Sequence, residues 1–167
     1  MWTTSSAAYL TPPAPGQPDA WTTETRGRGS QRIAAAGRAA AALDVADALG
    51  IAESESVIHR SRVILMDNEP VEVVTSYYRG DLPGGDPLSE PQPIKGGAIR
   101  LLADLGCTAA SVVEDVSAES GSIPLAPDGV PLLVIRRTSY TADGAPYEYT
   151  VMASWDGRRQ RYTMELA

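Results

Sequence analysis

The chain has no phenylalanine, one cysteine, one histidine and one lysine among its 14 basic residues. A lone cysteine, Cys107, excludes an internal disulfide and a cysteine-rich zinc site. A lone histidine, His59, argues against a histidine-built metal centre, so neither metal nor cofactor is expected. No apolar run approaches the ~18 residues that read as a membrane span, and MWTTSSAAYLTPP lacks the basic and apolar segments of a secretory signal. These absences fit a cytoplasmic protein with no membrane partner. Positive charge is also scarce, with 14 Lys and Arg against 21 Asp and Glu, a net charge of -7 and a pI of about 4.7. Gripping nucleic acid requires a basic surface that neutralises phosphates, so this surface is not expected to hold DNA itself. Any anion site must be built mainly from guanidinium groups, whose planar forks suit carboxylate and phosphate.

What is present suits one domain with one core: 167 residues, 43% of them hydrophobic. Residues 1–18 contain TPPAPGQP and read as a proline-rich linker or N-terminal arm; the folded domain is expected over 19–167. Asp19 can cap a short helix, AWTTETR. QRIAAAGRAAA reads equally as strand or helix. LDVADALGI is an amphipathic helix ended by Gly50. Residues 57–66 and 71–78 are rich in β-branched residues and flank Asp67-Asn68-Glu69-Pro70, a strand–turn–strand signature. A turn-rich loop, RGDLPGGDPLSEPQPIKGG, leads to the helical AIRLLADLG. TAASVVEDVSAE reads as a strand and SGSIPLAPDG as a loop. VPLLVIRRTSYTA and PYEYTVMASW form a second hairpin, and RQRYTMELA a last strand.

The two hairpins align at an offset of 76 residues. RSRVILMDNEPVE falls on RRTSYTADGAPYE, which sets Arg60 on Arg136 and Glu72 on Glu148. A duplicated helix–hairpin unit, its second helix shortened or lost, predicts an α+β domain with a mainly antiparallel sheet and a few packed helices. Side chains alternate along a strand. With a three-residue turn pairing Met66 with Pro70, Arg62 lies opposite Val74 and Arg60 opposite Ser76. Arg60, Arg62, Glu72, Ser76 and Tyr78 then share one face, and Arg136 with Glu148 supplies a second copy. The bland alternative is a solvated face with cross-strand ion pairs. Cys107 follows a helix C-terminus, where a thiolate gains nothing from the dipole. No catalytic residue is assigned.

HRSRVILMDNEPVEVVTSYY, GGAIRLLADLG and RRTSYTADGAPYEYTVMAS, in that order, resemble the effector-binding UTRA domain of GntR-superfamily, HutC-subfamily transcription regulators. The resemblance implies a chorismate-lyase-like fold whose pocket lies against the sheet. It implies a small-molecule effector (a carboxylate, a phosphate or a sugar-like metabolite), and DNA contact only through a separate winged-helix domain or partner chain. A homodimer is implied as well. The family's arginine pair falls on Arg60 and Arg62 and its glutamates on Glu72 and Glu148. Its G-S before the helix falls on Gly96 and Gly97, and its late aromatic on Ser154. Trp21 is placed at the N-terminal pocket loop. No DNA-binding segment precedes residue 19 in this sequence. An alternative is a free-standing lyase or cyclase on the same scaffold, with an arginine holding carboxylate and a glutamate moving a proton.

Overall fold

A computed structural model describes residues 2–4, 6–14, 16–155 and 157–163. Among these residues eight strands are seen: β1 (Trp2–Thr4), β2 (Gly29–Ala40), β3 (Ser56–Met66), β4 (Glu69–Arg79), β5 (Ser111–Ser120), β6 (Pro131–Tyr140), β7 (Pro146–Ser154) and β8 (Arg158–Gln160). Three α-helices join them: α1 (Ala20–Glu24), α2 (Leu43–Leu49) and α3 (Gly97–Asp104). Single 3-10 turns lie at Ser6–Tyr9 and Asp86–Ser89. The sheet is antiparallel with strand order β2-β3-β4-β7-β6-β5, while β1 and β8 form a separate parallel pair. No helix is long and apolar enough to cross a membrane among the described residues.

The alanine-rich QRIAAAGRAAA resolves as strand β2. It pairs along its length with β3, and that ladder outweighs alanine's helix preference. Gly29 opens the strand because a Cβ there would lie 2.3 Å from the Trp21 indole nitrogen. The first hairpin turns differently from expectation. Asp67 and Asn68 both take positive φ, 51° and 68°, the signature of a two-residue type I′ turn. Met66 therefore pairs with Glu69, not with Pro70. Proline has no N–H for the ladder, and the register shifts just there: Leu65 pairs with Pro70, Ile64 with Glu72, and Val71 is the extra residue of a bulge. The bulge restores the expected pairs, Arg62 with Val74 and Arg60 with Ser76.

The strand order is palindromic in the duplicated units. A half-turn about the Thr75–Val151 pair carries β4 onto β7 and Glu72 onto Glu148. No helix stands at 121–130, where α2 would recur. One face of the sheet is covered by α2, whose Val45, Ala46 and Leu49 pack with Val57 and Tyr149. The other face carries α3, the 86–89 turn and α1. Leu88 and Leu102 pack there on Ile58 and Tyr78, while Trp21 packs on Ile64, Val74, Ile135 and Met152.

Residues 6–13, expected to be a linker or arm, lie against this second face. Tyr9 donates to Glu24 Oε2 at 2.7 Å, Gln160 to Ser6 Oγ at 2.8 Å and Arg100 to the Pro13 carbonyl at 3.0 Å. The expected final strand shortens to β8, and 164–167 lie outside the described residues.

Candidate functional site

Between the sheet and this cover lies a cavity of about 150 Å³. Its floor is the sheet face of β3, β4, β6 and β7, carrying Arg62, Ile64, Glu72, Val74, Arg137 and Met152. Trp21 and Tyr9 close one side and the start of α3 another. Of the residues expected from sequence, Trp21, Arg62, Glu72, Tyr78, Gly96, Gly97 and Glu148 border this space. Arg60, Ser76 and Ser154 do not.

Arg60 is on the same face as Arg62 but is buried, and its guanidinium donates to three backbone carbonyls: Leu88 at 3.3 Å, Glu90 at 2.6 Å and Gln92. It fastens the 86–92 loop. Burial lowers its pKa below the ordinary arginine value. Ser76 shares a hydrogen bond with Thr150 at 2.9 Å inside the sheet. Ser154 donates to Glu72.

The two glutamates sit in unlike surroundings. Glu72 is paired across the sheet with Ser154, and Glu148 with Tyr78. Six residues of strand, about 20 Å, separate these levels. Arg158 forms an ion pair with Glu72, and only 6% and 8% of the two side chains is exposed. Burial pulls the Arg158 pKa down to about 10, so it stays charged at neutral pH and neutralises Glu72. Glu148 lies beside the fully buried Tyr78, whose phenol is held well above its usual range by burial and then by that carboxylate.

Arg62 is a cation bordering the cavity that no carboxylate pairs among the described residues. It reaches Gln31 Oε1 at 3.3 Å. On the same cavity, the α3 N-terminus has no side-chain cap hydrogen bond. Gly97 holds φ 82°, a conformation that disfavours the serine of the resembled motif, and it lines the cavity with Gly96 and Ala98. First-turn N–H groups of a helix lack internal acceptors, so this end suits an oxyanion.

The expected second copy is corrected by the register. In β6–β7, Arg136 pairs with Val151 and Arg137 with Thr150. Arg137 therefore shares the cavity face, and Arg136 points to the opposite one. There Arg136 bonds Glu119 at 2.5 Å and holds that carboxyl down to about 2. Both side chains are 38% exposed. Arg136→Ala is expected to cost less than about 1 kcal/mol and to leave ligand binding in the cavity unchanged. Because the folded pKa of Glu119 is depressed, this small contribution is present above its ordinary value of 4.5 and disappears as pH falls through about 2. Acid unfolding of the two proteins, followed by circular dichroism, checks it.

Sequence reasoning also missed Arg158 and Tyr9. Among the described residues, no group of three or more His, Cys, Asp or Glu is placed to hold a metal ion. Cys107 is half-buried, and burial raises its pKa.

The UTRA domain model matches residues 26–154. The chain therefore belongs to the UTRA family, the ligand-binding effector domains of GntR-family regulators. It is 30% identical over 133 residues to an uncharacterized HTH-type transcriptional regulator of Streptomyces coelicolor, covering 74% of this chain and 49% of that protein. It thus spans about half the length of that relative. The fold is that of the effector domain of PhnF from Mycobacterium smegmatis, with TM-score 0.73, 16% identity and coverage of 88% of this chain and 95% of that one. It is likewise that of the ligand-binding domain of a regulator provisionally assigned to the GntR family from Bordetella bronchiseptica, with TM-score 0.68, 21% identity and coverage of 82% and 92%.

Proposed function

We propose that the cavity binds a small polar or anionic metabolite, with Arg62 and the first turn of α3 holding its anionic group and Glu148 accepting from a hydroxyl or ammonium. The observation that carries this is Arg62 itself: a guanidinium bordering a partly apolar cavity with no carboxylate at ion-pair distance among the described residues. Apolar walls with a few convergent polar groups are the usual make-up of a small-molecule site. Trp21, Val74 and Met152 supply the walls. Glu72, already neutralised by Arg158, shapes one end, and Arg62 is a charge that selects. In a longer cytoplasmic regulator, acting as a homodimer, occupancy would set the DNA affinity of an attached winged-helix domain. The N-terminal segment suits that coupling, because residues 6–13 border the cavity.

Isothermal titration of the wild-type chain and Arg62→Ala against a panel of carboxylates, phosphate esters and sugars tests the assignment. Losing a charged hydrogen bond costs about 1.5–3 kcal/mol, so each anionic hit should weaken by about tenfold or more. A variant that binds every hit as tightly as the wild type would remove Arg62 from the site.

A further inference from the structure

We infer that Arg137 is a second anion-holding side chain of this cavity, kept in reserve by Glu114. This rests on reading the cavity as a ligand site, and adds to it a residue and a competitor.

The fold points to Arg137 first. The half-turn that carries Glu72 onto Glu148 places Arg62, opposite Val74 on β3, onto Arg137, opposite Thr150 on β6. Each repeat therefore presents one arginine and one glutamate to the same space. The bonding of Arg137 points the same way. It borders the cavity, yet its side chain is only 8% exposed. Its carboxylate neighbour, Glu114, directly opposite on β5 and 7% exposed, stands 3.8 Å from Nη1. That separation is too long for a hydrogen bond. Arg137 Nε and Glu114 Oε1 both lack a hydrogen-bond partner among the described residues. Glu114 is held from its other side, where Tyr162 donates to Oε2 at 2.7 Å.

A buried guanidinium whose Nε–H is unmet has lost water without full replacement. A ligand oxyanion entering the cavity supplies the missing acceptor. Glu114 opposes this, since its charge already attracts Arg137. A merely structural ion pair makes a different demand: removing either partner should harm the protein in the same direction.

The test uses inorganic phosphate as the probe, with chloride at matched ionic strength as the control. Affinity is read by calorimetry and by the rise in Tm, for the wild type, Arg62→Gln, Arg137→Gln and Glu114→Gln. Arg137→Gln should weaken phosphate binding by about tenfold or more, and Arg137→Lys should fall between the two. Glu114→Gln should tighten binding several-fold, even though it lowers the stability of the free protein. Opposite signs on affinity support the inference. Weakening by both variants makes the pair structural and overturns it. Loss with Arg62→Gln alone also overturns it, while the assignment of Arg62 survives. Wild type indifferent to phosphate sinks both readings. Should Arg137→Gln fail to fold, Glu114→Gln decides alone: tighter binding supports the role of Arg137, and unchanged or weaker binding overturns it.

Discussion

Arg158→Ala should lower the stability of the chain by about 3–5 kcal/mol, the cost of stranding one member of a buried ion pair. Glu72 is buried in the sheet, and its charge is met by the guanidinium of Arg158 and the hydroxyl of Ser154. Alanine removes the cation and leaves a carboxylate that Ser154 alone cannot solvate. The loss also spreads outward. Arg158 Nη2 donates to Gln160 at 3.2 Å, and Gln160 donates to Ser6, so the β8 segment and the residues over the cavity lose an anchor together. For a domain whose total stability is of order 5–15 kcal/mol, this is a large fraction. Urea unfolding at neutral pH measures it. The double variant Arg158→Met with Glu72→Gln removes both charges and should recover most of the loss, because two matched neutral groups avoid the stranded charge. An Arg158→Ala protein within about 1 kcal/mol of wild type would mean that the pair is not held in solution.

Much of the fold was legible because the hairpins announce themselves. β-branched runs around Asp67-Asn68 and Asp143-Gly144 place four of the six strands of the main sheet, and Gly50 and Gly106 mark helix ends. The repeat was legible too, but its fixed offset misled. Glu72 and Glu148 are 76 apart, whereas Arg62 and Arg137 are 75 apart. The second turn is one residue longer: Thr141 bonds Ala145 around Ala142-Asp143-Gly144, with Gly144 at φ 82°. A one-residue change of register exchanges the faces of a strand. It puts Arg136 outside and Arg137 inside, a difference that composition cannot reveal and only turn geometry settles. Arg158 was hidden for another reason. It reaches Glu72 from a three-residue strand 86 positions away, and no local pattern encodes that contact. Residues 6–13 read as linker because proline and small residues dominate them. A handful of side-chain hydrogen bonds, not a hydrophobic period, lays them on the cavity.

The neighbouring arginines of the first hairpin should separate cleanly by experiment. Arg60→Met keeps the apolar stem but removes the donors to the carbonyls of Leu88, Glu90 and Gln92. Bonds to a charged group are worth about 1.5–3 kcal/mol each, and buried carbonyls left without a donor add their desolvation. Contributions sharing one guanidinium do not sum, so a loss of about 3 kcal/mol is expected. The damage should be local. Hydrogen exchange of backbone amides over residues 88–97 should accelerate, because Arg60 ties this stretch of loop to the sheet beyond the Arg38–Asp86 pair. Ligand affinity should fall as well, since the loop ends at Gly96 and Gly97 on the cavity wall. Arg62→Ala should show the converse, with wild-type exchange across the loop and the larger loss of binding. The two residues sit on one strand face, two positions apart, yet one meets backbone carbonyls and the other reaches Gln31 and borders the cavity. Unchanged exchange across 88–97 in Arg60→Met would show that Leu88 burial and the Arg38–Asp86 pair hold the loop without Arg60. The affinity loss of that variant would then have to come from direct contact with the ligand.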